Sequence, residues 1–217
     1  MLFRSHSGGF YQVGKQRRPQ PLPLKLHWFR WEAAITWLSG ITLLTLVYYM
    51  GGLMVNETMS EGTAIILGVG LLVVSWFIYN TLWNSALGKN EMVGATISYL
   101  LLVLVSFGLT RFMEGRAAYM HVGAMLGTIM TTNVWECILP AQRKMVAALH
   151  EGKEPDPVLA ARAKMRSKHN TFMAVPVVFI MISNHYPVTS YGDSWNWAIL
   201  SLLILAGWGA AKIIRKA

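Results

Sequence analysis

Four histidines stand where an imidazole could hold an iron centre inside an apolar layer: His27, His121, His169 and His185. If residues 118–139 and 171–186 are spanning helices of opposite direction, His121 and His185 fall at matching depth near one surface. Two imidazoles at one depth on neighbouring helices are what a bis-histidine b-type haem requires. His27 and His169 fall in the same way near the opposite surface. His169 and His185 are 16 residues apart, about 24 Å along a helix, so one helix could serve two haems. The same separation turns a straight helix through roughly 160° beyond whole turns. The two rings then face different ways unless Pro176 bends the helix. Histidines that only hydrogen-bond water or head groups at an interface fit this spacing too. His6 and His150 lie outside the apolar runs and read as solvated.

Other groups could carry charge or protons. Arg111, Glu114 and Arg116 cluster beside His121, where the arginines could hold an anionic substrate or a haem propionate by charge-assisted hydrogen bonds. They serve equally well as helix caps and loop anchors. Thr131, Thr132, Asn133 and Glu136 make a polar end to an apolar run. Glu136 reads either as a carboxylate paired with Arg143 or as a proton relay. Cys137 is the single cysteine, so no disulfide forms within the chain and no Cys-x-x-Cys-His haem attachment is present.

The elements that must position these groups are helices in lipid. Hydrophobic residues make up 54% of the chain and charged residues 13%, against about 25% charge in a soluble domain. Six apolar runs, about 33–54, 64–83, 92–112, 118–139, 171–186 and 196–214, approach the length needed to cross a hydrocarbon core of about 30 Å. The sequence therefore predicts an all-α, polytopic transmembrane bundle of six spans with both termini cytoplasmic. No signal-peptide pattern opens it.

The formal charge of +9 is explained by topology. With loops assigned to alternate sides, Arg4, Lys15, Arg17, Arg18, Lys25, Arg30, Lys89, the seven cations from Arg143 to Lys168, and Lys212, Arg215 and Lys216 share one face. Only Arg111 and Arg116 fall on the other. This is a positive-inside distribution, so the basic excess calls for a multi-pass membrane protein and no nucleic-acid partner.

Residues 1–30 read as a cytoplasmic arm, made extended by Pro19, Pro21 and Pro23. Residues 31–217 read as the six-helix membrane domain. Within it, 140–170 is expected to be a cytoplasmic amphipathic segment broken at Glu154-Pro155-Asp156-Pro157. Gly123 and Gly127 form a GxxxG that invites close helix approach.

Several stretches resemble the membrane domain of the bacterial membrane-bound urate oxidase (urate hydroxylase) family. They are Gly8-Gly-Phe-Tyr11, His27-Trp-Phe-Arg-Trp-Glu-Ala33, Gly115-Arg-Ala-Ala-Tyr-Met-His121, Pro140-Ala-Gln-Arg-Lys-Met-Val-Ala-Ala-Leu149, Lys168-His-Asn170 and Ser183-Asn-His-Tyr-Pro187. The resemblance implies an oxidoreductase that converts urate to 5-hydroxyisourate and passes electrons to a cytochrome c. Family members carry a further helix before the Gly-Gly-Phe-Tyr segment and a fused C-terminal cytochrome c. Neither is expected here, so the resemblance implies a separate c-type cytochrome or other membrane subunits as partners. It assigns no catalytic residue. Arg111 and Arg116 are the expected substrate contacts, and His121, His185, His27 and His169 the expected haem contacts. The other class that fits is a non-catalytic or haem-carrying structural subunit of a respiratory or photosynthetic membrane complex.

Overall fold

Ser60 and Asn90 show how local chemistry starts the long helices. The Ser60 hydroxyl accepts from the Thr63 N–H at 3.3 Å, and the Asn90 side-chain oxygen accepts from the Met92 and Val93 N–H groups at 3.1 and 3.3 Å. Each satisfies donors that a first helical turn leaves open. The computed structural model describes residues 2–6, 9–13, 30–54, 59–187 and 194–215. The proline-rich part of the arm and His27 lie outside the described residues.

Helix α1 (Arg30–Leu44) runs on into a π-helical turn, Thr45–Tyr49. It is followed by α2 (Glu61–Asn84), α3 (Ala86–Lys89), α4 (Glu91–Phe112), α5 (Gly115–Thr132), α6 (Leu139–His150), α7 (Pro157–Ser183) and α8 (Asn196–Ile214). A second π segment, Asn133–Ile138, joins α5 to α6 without a break. The fold is an all-helical bundle. Ahead of it, a short antiparallel hairpin pairs β1 (Leu2–His6) with β2 (Gly9–Val13) in the arm.

α5 lies at the centre and packs against α1, α2, α4 and α7, while α8 closes on α4 and α7. Its Ala117, Ala118, Tyr119, His121 and Val122 are completely buried. α2 and α4 instead turn Ile66, Val73, Val74, Phe77, Leu100 and Leu104 outward. A soluble protein does not leave so much apolar surface uncovered. Among the described residues, five helical stretches are long and apolar enough to cross a membrane: Arg30–Tyr49, Glu61–Asn84, Glu91–Phe112, Gly115–His150 and Asn196–Ile214. The sixth expected run lies in α7, whose first half carries Arg162, Lys164, Arg166 and Lys168 and whose apolar half ends at Ser183.

The expected break in the amphipathic segment falls between His150, where α6 ends, and Pro157, where α7 begins; what differs is how the first piece starts. Residues 139–150 extend the central helix in line, and α7 begins at Pro157, where the Asp156 side chain accepts from the Val158 N–H at 2.8 Å. The π segment makes this continuity possible. Proline has no N–H to give to a helical ladder. At this point the ladder is already re-registered, with the Leu139 N–H donating to the Val134 carbonyl one turn and a residue back. The chain reverses between α6 and α7 through Gly152, at φ +70°.

The glycine pair also divides. Gly123 sits against Ile180 of α7, with room for a Cβ only 3.2 Å from its side chain, whereas Gly127 has no atom within 4 Å of that position.

Candidate functional site

At the end of the bundle where α2 finishes and α4 begins, three helices aim polar side chains inward. Tyr79 and Trp83, and Asn80 and Asn84, are paired at four-residue spacing on α2. Arg166, His169 and Asn170 fall three and four residues apart on α7, a spacing that stacks side chains on one helix face. Asn133 opens the π segment of the central helix and is fully buried.

Tyr79 is the hub. Its hydroxyl lies 2.8 Å from His169 Nδ1 and receives Asn133 Nδ2 at 3.0 Å. The Arg166 guanidinium carbon stands 4.8 Å from the centre of its ring, a cation–π contact. The Trp83 ring packs 4.0 Å from the His169 ring, centre to centre.

One main-chain carbonyl orients this network. Asn170 Nδ2 donates to the Met130 carbonyl at 2.9 Å, so Asn170 Oδ1 is left to accept from Asn133 Nδ2, also at 2.9 Å. That fixes Asn133, whose amide also donates to the Tyr79 hydroxyl. The hydroxyl's own hydrogen is then free to be donated to His169 Nδ1. A neutral imidazole that accepts at Nδ1 carries its proton on Nε2. In the tautomer that uses the Tyr79 hydroxyl hydrogen, His169 therefore presents an N–H at Nε2.

Four buried atoms around this hub have no hydrogen-bond partner: Asn133 Oδ1, Arg166 Nε, Arg166 Nη1 and His169 Nε2. Arg166 is 0% exposed. Its Nη2 donates to Asn80 Oδ1 at 2.8 Å and to Asn84 Oδ1 at 3.3 Å. A buried guanidinium is costly unless a counter-charge and full hydrogen bonding offset its desolvation. The ion pairs among the described residues, Lys168 with Glu91 and Lys153 with Glu151, do not include Arg166. The arm has no carboxylate to offer either, since the first acidic residue in the chain is Glu32. The Lys168–Glu91 pair clamps α7 to the start of α4 at the rim of the site.

The sequence-derived candidates are distributed differently. His121 is fully buried at the other end of the bundle. Its Nδ1 donates to the Ala117 carbonyl at 2.7 Å, and its Nε2 faces the Tyr49 hydroxyl at 3.2 Å. The α2 backbone closes over the same nitrogen, because a Cβ at Gly68 would lie 2.8 Å from it. His185 sits exposed in the turn after α7, its N–H donating to the Ile182 carbonyl at 2.9 Å. A b-type haem between them does not fit this arrangement: the one nitrogen of His121 left for iron is packed against Tyr49 and Gly68. Arg116 Nε donates to Asn184 Oδ1 at 3.0 Å, and Arg111 stacks over Phe107 at 4.8 Å. Both arginines are exposed. Glu136 is exposed on the π segment. Of the expected haem contacts among the described residues, only His169 joins the polar cluster around Tyr79.

Arg166, Tyr79, Asn80 and Asn84 escaped the sequence reading. Arg166 sits in a run of four alternating cations and counts with them as charge on the cytoplasmic face. The signal was its register with His169, Asn170 and Met173, which places it on the inward face of α7. Asn80 and Asn84, one turn apart at the end of an otherwise apolar run, were a second signal.

The fold and the cluster together define an all-helical bundle of membrane-capable helices that encloses a polar site at one end. The chain belongs to the urate oxidase N-terminal family, whose model matches residues 1–216. No curated protein and no solved structure matches it.

Proposed function

We propose that this chain is the membrane module of an oxidoreductase that converts urate to 5-hydroxyisourate and delivers the electrons to a separate c-type cytochrome. The observation that carries this reading is the family match, which covers nearly the whole chain. The balance is simple: urate and one water give 5-hydroxyisourate, two protons and two electrons, and each electron reduces one ferric c-type haem of the partner. No step is routed through haem on this chain.

The proposed setting is the bacterial cytoplasmic membrane, with six spans and both ends in the cytoplasm. The five membrane-capable helices and the one-sided distribution of cations support it. The sixth span is then α7, entering the bilayer with its cationic half at the inner interface, where long cationic side chains reach water.

Membranes containing the protein, mixed with an oxidised soluble c-type cytochrome, test the reaction. Urate addition should raise the absorbance of reduced cytochrome at a rate proportional to the amount of this protein. If no c-type cytochrome is reduced, the enzyme reading ends, and the chain is a structural subunit that retains the family's bundle.

A further inference from the structure

We propose that the cluster around Tyr79 is a binding site for a planar heterocyclic anion, held by Arg166, His169 and Asn133. This inference rests on the proposed urate chemistry and places its substrate at the Glu91 end of the bundle, away from Arg111 and Arg116.

The unpartnered atoms define the ligand. Arg166 Nε and Nη1 are donors with a positive charge behind them, and His169 Nε2 carries a proton by the hydrogen-bond chain that starts at the Met130 carbonyl. Asn133 Oδ1 is an acceptor, because Asn133 spends both amide hydrogens on Asn170 and Tyr79. The missing partner must therefore accept several hydrogen bonds, carry negative charge and also donate an N–H or O–H. A lipid phosphodiester meets the first two requirements and has no hydrogen for Asn133. The anion of an oxopurine meets all three, since ring carbonyl and deprotonated ring nitrogen lie beside ring N–H groups. The guanidinium is planar and suited to paired contacts with such an edge. The Trp83 ring packs on His169 and the Tyr79 ring on Arg166, which holds the two donor groups in place.

The site is also built to stay in place without the ligand. The Asn170–Asn133–Tyr79–His169 chain joins α7, the central helix and α2, and the Lys168–Glu91 pair adds α4. The four unpartnered atoms are themselves covered, so a ligand would reach them by displacing the side chains that now pack over them.

Full-length protein in lipid nanodiscs, incubated with labelled urate in the absence of any electron acceptor, provides the test by equilibrium dialysis. One saturable site per chain is expected. Arg166→Lys keeps the charge and loses the planar donor edge, and should bind about tenfold or more weakly. Asn133→Asp should weaken binding of the anion as well, by placing a like charge opposite it. The Arg111→Ala, Arg116→Ala double variant should bind as the wild type does, and excess inorganic phosphate should not compete. Thermal unfolding of each variant separates lost binding from lost fold. Binding that survives Arg166→Lys and Asn133→Asp in folded protein but fails in the double variant would move the site to the other end. Effective competition by phosphate would make it a general anion site. Cytochrome reduction by urate with unaltered binding in Arg166→Lys would overturn this site while leaving the proposed reaction standing. Absence of both urate binding and cytochrome reduction in the wild type would remove the reaction and the site together.

Discussion

Gly207 of α8 lies directly against Pro176 of α7. A Cβ at position 207 would come within 2.8 Å of the proline Cδ, Cγ and backbone nitrogen. The proline, which lacks the N–H of a normal helical residue, is fully buried, and the glycine lets the facing backbone approach its ring. Gly207→Ala should therefore destabilise the bundle by about 1–3 kcal/mol through overpacking. The same change at Gly209 or Gly127, which face open space, should be tolerated. Thermal unfolding in detergent checks this. Equal melting temperatures for the Gly207 and Gly209 variants would refute the close approach.

His121 offers a second test. Tyr49→Phe removes the hydroxyl that faces His121 Nε2 and leaves a buried acceptor without a donor, a loss of about 1–3 kcal/mol. Gly68→Ala should destabilise by crowding the same nitrogen from the α2 side. The unfolding temperature of each variant is the measurement, and a neutral Tyr49→Phe would show that the contact contributes nothing.

The packing of His121 also bears on colour. Protein produced with haem available should show no low-spin b-type spectrum that depends on the His121 and His185 pair. The visible spectra of His121→Ala and His185→Ala should match that of the wild type. A low-spin spectrum abolished by both substitutions would restore the haem expectation for that end of the bundle.

For topology, single cysteines in a Cys137→Ala background are informative because Ser60, at the start of α2, and Lys153, just beyond α6, are both exposed. Ser60→Cys should react with an impermeant thiol reagent in intact cells, and Lys153→Cys only after permeabilisation. The reverse pattern would invert the proposed orientation.

The helices themselves were written plainly in the sequence, because apolar runs of spanning length leave few alternatives. The partners of the polar residues were not. His121 was rightly singled out as an ionisable group in an apolar run, but depth along a helix is one coordinate and the direction a side chain points is another. Depth matched His121 with His185, whereas direction turned it towards Tyr49, on the π turn after α1, and Gly68 on α2. Arg166 failed for a related reason. A charge tally treats every cation in a loop alike, and only the register of α7 distinguishes the one that faces inward. The π segments carry no recognisable pattern, so the unbroken continuation of the central helix through Pro140 was not legible either.

That continuation has a mechanical consequence. The unbroken stretch Gly115–His150 has 36 residues, about 54 Å of helix, against a hydrocarbon core of about 30 Å. Its far part and the start of α7, which pack against each other, form a stalk that turns at Gly152. Asn133 lies on one leg of that stalk and Arg166 and His169 on the other. The spacing of those three residues is therefore set by how the two legs pack along their length, so a change in that packing would be felt at the cluster.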